Sequence, residues 1–259
     1  MVDASGETQS EERVALPRSI AVVSLAACIL NITTFGTAPY LTVIMASQLG
    51  FTPFQITAVL AANLVAARCL PLFAGLLGDR ISHFTTMLSG IFIRAAGLGA
   101  FAIDDSVGWF IFASALVGVG GAFYEPSATA TLAHFNEKVQ ARAYAVLNMS
   151  QNAGALLGPI GAGLLVSINS TALFLTNGVL VILLVPAFLA FRTELATPRS
   201  EDNVLGSLGR VFKNRTFLRF GVAMATFWAI DSQMTVLIPV YTAELTGSDQ
   251  WAGTAMVVN

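Results

Sequence analysis

The chain has 259 residues, of which 55% are hydrophobic and only 11% are Asp, Glu, Lys or Arg, with a formal net charge of −2. A soluble globular domain carries about a quarter charged residues, so too few are present to cover a water-soluble fold, and a mean hydropathy of +0.73 agrees. The balance excludes a basic nucleic-acid-binding module. The two cysteines, Cys28 and Cys69, sit in apolar stretches and give neither a disulfide framework nor a metal-ligand set.

A bilayer-spanning helix needs about 20 mostly apolar residues. In chain order such stretches cover 19–45, 54–77, 84–103, 107–133, 143–168, 171–191 and 220–245, and an eighth begins near Trp251. No alternating ten-residue pattern of a transmembrane β-barrel is present. The expected fold is an all-α, polytopic membrane protein. Its expected layout is a cytoplasmic tail over 1–18, a six-helix bundle over 19–191, a linker over 192–219 and the start of a second bundle over 220–259. In the linker, Val204, Leu205, Leu208, Val211 and Phe212 fall at helical spacing among Arg210, Lys213, Arg215 and Arg219. That pattern predicts a short basic amphipathic helix suited to an anionic leaflet, or a solvated linker helix.

Lys and Arg concentrate in cytoplasmic loops. Arg13, Arg18, Arg80, Lys138, Arg142, Arg192, Arg199, Arg210, Lys213, Arg215 and Arg219 all fall on one side of the expected spans. The loops around Gln48, Asp104, Asn169 and Ser248 contain none. The N-terminus is therefore expected in the cytoplasm of a cell that carries the chain in its plasma or inner membrane.

An internal repeat is visible at an offset of 88. Pro71-Leu72-Phe73-Ala74-Gly75-Leu76-Leu77 shares five of seven residues with Pro159-Ile160-Gly161-Ala162-Gly163-Leu164-Leu165. Phe35 matches Phe123 at the same offset, and Pro39 falls one residue from Pro126. The unit is three spans, an odd number, so its two copies must lie inverted in the membrane, as in secondary transporters that open to each side in turn.

The run Gly75-Leu76-Leu77-Gly78-Asp79-Arg80-Ile81-Ser82-His83-Phe84 resembles the loop signature of the major facilitator superfamily, Gly-x-x-x-Asp-Arg-x-Gly-basic-basic. Gly75, Asp79 and Arg80 match; Ser82, His83 and Phe84 depart. The resemblance implies that Asp79 and Arg80 latch helix ends on one side of the membrane in one conformation, using charge and helix dipoles. In the fifth span, Gly154, Gly158, Pro159 and Gly163 are similar to the Gly-Pro signature of the drug:proton antiporter branch, with Ala145 and Ala162 in place of two glycines. Such small residues let helices approach closely, and proline gives a bend. Gly118-Val119-Gly120-Gly121 is similar to the family's Arg-x-x-x-Gly segment, with Ser114 at the arginine position. The resemblance further implies two six-helix halves with a substrate path between them, of which this chain would supply the first half and the start of the second.

Charges inside spans are costly and normally face a cavity or each other. Arg68, Arg94, Glu125 and Asp231 lie roughly eight to eleven residues from the cytoplasmic ends of their spans, about 12–16 Å at 1.5 Å per residue. They are expected to form one polar layer, with Glu125 paired to Arg94 or Arg68 and Asp231 across a central cavity, or to act as static ion pairs. Asp231 and Glu125 are the candidate proton carriers, because a carboxylate moving between apolar and arginine-lined surroundings changes its hold on a proton. Asn31, Asn63, Asn148, Gln151 and Asn152 are expected to line the cavity, or to bond between helices.

His83 and His134 are loop or helix-end residues with no partnered Ser or Cys, and no phosphate-binding glycine loop with Lys is present, so an enzyme or ATP-driven pump is not expected. No cofactor or metal is implied. The expected activity is secondary active transport by alternating access, with export of small amphipathic or drug-like solutes in exchange for protons. Uptake by the same fold and a non-transporting membrane protein are the alternatives. The expected partners are a small-molecule solute, protons and lipid, with a monomer as the full-length form. Orientation is open to measurement: in intact cells Ser106→Cys is expected to react with a membrane-impermeant maleimide and Ser82→Cys to react only after permeabilisation. Labelling of both from one side would refute the topology.

Overall fold

In the computed structural model, the structure describes residues 16–195 and, beyond them, 213–227 apart from 217 and 225. The expected seventh span and the start of the eighth, Asp231 included, lie almost entirely outside the described residues, as does the stretch 196–212. Residues 1–200 and 201–259 form two compact units. In the second, Asn214 accepts a bond from the Thr216 amide at 3.1 Å, and residues 218–224 are helical and exposed.

The first unit is an all-helical bundle. Helix α1 (Arg18–Val43) runs on into a π-helical turn, Ile44–Gln48. Then come α2 (Pro53–Cys69), α3 (Pro71–Arg80), α4 (His83–Ala100), α5 (Val107–Ala133) and α6 (Glu137–Val166). The unit ends with α7 (Ser170–Ile182), α8 (Leu184–Ala190) and the short α9 (Arg192–Leu195). Local sequence sets the boundaries. Gly50 turns the chain after α1 with φ 65°, a conformation that favours glycine. Thr52 and Gln55 then cap α2 reciprocally, and Pro53 occupies its first turn, where a missing N–H costs nothing. Asn169 caps α7 by accepting from the Thr171 amide at 2.9 Å.

Three stretches are long and apolar enough by themselves to cross a bilayer: Arg18–Gln48, Val107–Ala133 and Ser170–Ala190. The bent pair α2–α3 makes a fourth. Helices α4 and α6, which carry Arg94 and the Asn148–Asn152 stripe, fall on the third and fifth expected stretches, but neither is both long and apolar enough by the same measure. Two spans are less regular than their hydropathy suggests. The second bends by 42° between α2 and α3, where Pro71 cannot donate a backbone bond. The sixth breaks at Leu183, where Pro186 leaves the Ile182 carbonyl without its helical partner. Pro159, the repeat counterpart of Pro71, instead sits inside the unbroken α6.

Glycines set how closely the helices approach. A Cβ on Gly36 of α1 would lie 2.9 Å from the Gly158 carbonyl of α6, and one on Gly158 would lie 2.6 Å from the Ile32 carbonyl. A Cβ on Gly154 would overlap the Cys28 carbonyl and lie 2.9 Å from the Asn31 Cβ. Helices α2 and α5 meet in the same way: a Cβ on Gly118 would lie 2.9 Å from the Ala66 Cβ. The offset of 88 carries Ala66 onto Gly154 and Gly118 back onto Leu30, between Cys28 and Asn31. The α1–α6 contact is thus the inverted image of the α5–α2 contact, which is what two inverted three-span copies require.

Two apolar clusters fill the bundle. One, towards the basic end that carries the 80–83 turn, includes Val23, Met87, Ile91, Leu132, Leu147 and Phe188. The other, towards the opposite end, includes Met45, Phe110 and Phe101 stacked on Phe174 at 5.0 Å. Enlarging an interface glycine is expected to break the α1–α6 contact. Gly158→Leu should destabilise the bundle by about 1–3 kcal/mol or more through overpacking. Gly161→Ala, where nothing lies within 4 Å, should be neutral or mildly stabilising. Thermal unfolding in detergent reads both, and equal tolerance of the two would contradict the packing.

Candidate functional site

Between the two clusters lies a cavity of about 280 Å³ formed by α1, α2, α4 and α5. Each span crosses opposite to the last, which orders the lining along the membrane normal. Arg68, Arg94, Glu125, Thr33 and Thr34 lie nearer the basic end, and Leu41, Leu60 and Phe101 nearer the other. Asn63 and Ser114 stand between, joined by a bond from Asn63 Nδ2 to the Ser114 carbonyl at 3.0 Å.

Arg94 is the buried member of this layer, 6% exposed. The absence of a side chain at Gly120 lets the α4 backbone at Arg94 lie against α5, and the guanidinium reaches across to α1. Nη2 donates to the Leu30 carbonyl at 3.0 Å, to Thr33 Oγ1 at 3.3 Å and to Thr34 Oγ1. Both threonine hydroxyls spend their own protons on the Leu30 carbonyl, at 2.9 and 2.7 Å, so their oxygens are free to accept from the arginine. Neither Arg94 nor Arg68 forms an ion pair with Glu125 within 4.0 Å among the described residues. All three nevertheless line the same cavity, and Arg68 and Glu125 are exposed within the unit. The threonine partners of Arg94 were not anticipated; two adjacent threonines in an apolar span, opposite a span with a lone arginine, are the signal that could have found them.

Of the five amides expected to line the cavity, Asn63 does so. Asn31 is half-buried and donates within its own helix to the Ala27 carbonyl at 2.8 Å. Asn148 and Asn152 are exposed and Gln151 is half-buried, all on α6, which contributes nothing to the lining of this cavity. In the Gly-Pro segment, Gly154 and Gly158 face α1. Gly163 leaves room for Tyr40, whose hydroxyl would lie 2.8 Å from an added Cβ and which donates to the Pro159 carbonyl at 3.3 Å.

At the basic end, Gly75 has open space around it, and Asp79 and Arg80 are exposed at the end of α3. Asp79 faces the buried His83, Oδ1 to Nε2 at 3.2 Å, across the turn into α4. Gly78 makes room for the imidazole, and the His134 ring of α5 stands 6.2 Å from it between centroids. Burial pushes the His83 imidazole below its ordinary 6.5; Asp79 opposes this and His134 adds to it. The position where the loop signature carries a basic residue therefore holds a group that is mostly neutral at pH 7. Among the described residues no group of three or more His, Cys, Asp or Glu could hold a metal ion.

Comparison with known proteins places this architecture. The profile of the Major Facilitator Superfamily matches residues 23–259. The chain is 25% identical over 224 residues to an uncharacterized MFS-type transporter of Mycobacterium tuberculosis, covering 86% of this chain and 54% of that protein. It is 25% identical over 218 residues to the multidrug resistance protein MdtH of Yersinia enterocolitica, covering 81% and 53%. The chain thus spans about half the length of the curated relatives it matches. Among solved structures, the POT family transporter PepTSo aligns with a TM-score of 0.67 at 19% identity, covering 94% of this chain and 51% of that one, a likeness of fold. With its all-helical inverted repeat and the profile match across nearly its whole length, the chain belongs to the major facilitator superfamily.

Proposed function

We propose that the chain acts, as part of a secondary active transporter, in the export of small amphipathic or drug-like solutes in exchange for protons by alternating access. The observation that carries this reading is the cavity: four helices line a partly open pocket with charged groups at one end and apolar side chains at the other. Ionisable groups kept at such depth mark solute or proton paths. The similarity to a multidrug resistance protein supports export. Protons would be carried on Asp231 or Glu125, and Asp79 and Arg80 would latch the basic end. Gly154, Gly158, Pro159 and Gly163 would give the bend around which the two halves rock. Residues 192–219 would link the two bundles, with the N-terminus in the cytoplasm.

The function is tested by flux into inverted vesicles of cells expressing the full-length protein, with an imposed proton gradient and after its collapse. Solute uptake that rises with the inside-acid gradient is expected; gradient-independent equilibration would favour a facilitator, and movement in the opposite sense an importer. Asp231→Asn is expected to flatten the pH dependence of transport, and an unchanged profile would remove that residue from the mechanism.

The latch makes a separate, signed prediction. Because His83 holds its proton less readily when packed, the α3–α4 turn is fully stable above the ordinary histidine value and loses stability as pH falls below it. Amide exchange across residues 78–86 is therefore expected to quicken between about pH 7.5 and 5.5 beyond its intrinsic pH trend. His83→Gln should abolish that excess. An equal pH response in both proteins would show that the histidine does not tune the turn.

A further inference from the structure

Among the described residues, the charged end of the cavity is short of negative charge. Two arginines line it against one carboxylate, Glu125. Arg94, nine-tenths buried, commits Nη2 to α1, while among the described residues no acceptor takes a bond from Nη1. That nitrogen lies beside Gly121, 3.4 Å from where a Cβ would stand, and Gly121 itself lines the cavity. Arg94 Nε is buried without a partner and Nη1 has no acceptor among the described residues, so the guanidinium keeps donors for an entering group. A guanidinium completes its bonding best with a planar oxyanion.

We propose that the cavity binds a small solute with one carboxylate head and an apolar body. The head sits on Arg94 Nη1 with Arg68 as the second charge, and the body runs towards Leu60 and Phe101. Glu125 offsets part of the arginine charge while the cavity is empty and opposes the bound carboxylate. This deepens the transport reading by naming the solute class, rests on the cavity being the solute path, and leaves the exchanged proton to Asp231. An anionic lipid head would offer similar chemistry, but the single apolar end beside Leu60 and Phe101 suits a solute with one apolar body rather than two acyl chains.

The test is equilibrium binding to the full-length protein in phosphatidylcholine nanodiscs, with no gradient, using three probes of one shape: hydrocinnamate, hydrocinnamamide and phenylpropylamine. The carboxylate is expected to bind about tenfold or more tighter than the amide, the scale of a charged hydrogen bond, and the amine weakest. Arg94→Gln and Arg94→Lys should both lose the preference for the carboxylate, and Arg68→Gln should reduce it. Glu125→Gln, at an exposed position that should not disturb folding, should tighten carboxylate binding several-fold. A preference for the amine, no binding of any probe, or a carboxylate preference that survives Arg94→Gln would overturn the proposal. So would weaker or unchanged carboxylate binding in Glu125→Gln, which remains decisive if the Arg94 variants fail to fold. Loss of hydrocinnamate binding when phosphatidylglycerol is added to the nanodiscs would assign the site to the lipid head and also overturn it. Absence of proton-driven flux with normal carboxylate binding would instead refute the transport reading alone.

Discussion

Helix α1 is fastened to four neighbours by hydrogen bonds that lipid cannot replace, and the arrangement of the rest follows from it. Arg94 ties it to α4 through Leu30, Thr33 and Thr34. Tyr124 of α5 donates to the Val23 carbonyl at 3.0 Å, and Asn177 of α7 to Thr37 Oγ1 at 2.9 Å. Tyr40 reaches α6 at the Pro159 carbonyl. In hydrocarbon, apolar side chains gain little by leaving lipid for one another, so close backbone approach and polar bonds must hold the helices together. The sequence supplies both along one helix, small residues on one face and hydroxyl or carbonyl acceptors on others.

That division of labour explains where the cavity lies. Towards α6, the glycines bring α1 into backbone contact and leave no room. Towards α2, no comparable run of small residues closes the gap, and the space is lined by Thr34, Ala38, Leu60 and Leu64. The inverted partner of this arrangement, α5 against α2 at Gly118, closes the opposite wall. One small-residue contact used twice, once in each orientation, therefore both builds the bundle and leaves the space that a solute can occupy.

The spans and the repeat were legible because they depend on hydropathy and spacing, which survive without knowledge of how any helix is rotated. That the fifth span makes a close helix contact was legible for a related reason, since Gly154 and Gly158 have few roles other than close approach, but its partner α1 was not. The partners of charged and polar groups were not. Glu125 and Arg94 line one cavity, yet Arg94 turns to neutral oxygens on α1, because rotation about the helix axis decides which neighbour a side chain meets. The α6 amides share a stripe, but it lies away from the cavity of the described unit. The breaks at Leu70 and Leu183 were hidden for a different reason: hydropathy carries a span straight through a proline, and whether the helix bends there depends on packing, as the unbroken α6 at Pro159 illustrates.

The central claim is that two inverted three-helix copies meet through matching contacts, α1 with α6 and α5 with α2. Paired cysteines test it in membranes: Gly36→Cys with Ala162→Cys, whose Cβ positions lie 3.2 Å apart, and Gly118→Cys with Ala66→Cys, at 2.9 Å. Disulfides join Cβ atoms about 3.8 Å apart, so each helix pair must part slightly, which also eases the added Cβ atoms away from the Gly158 and Asn63 carbonyls. Both pairs are expected to cross-link within the chain under mild oxidation, while the exchanged pairs, 36 with 66 and 118 with 162, do not. Cross-linking of the exchanged pairs, or of only one matched pair, would contradict the account.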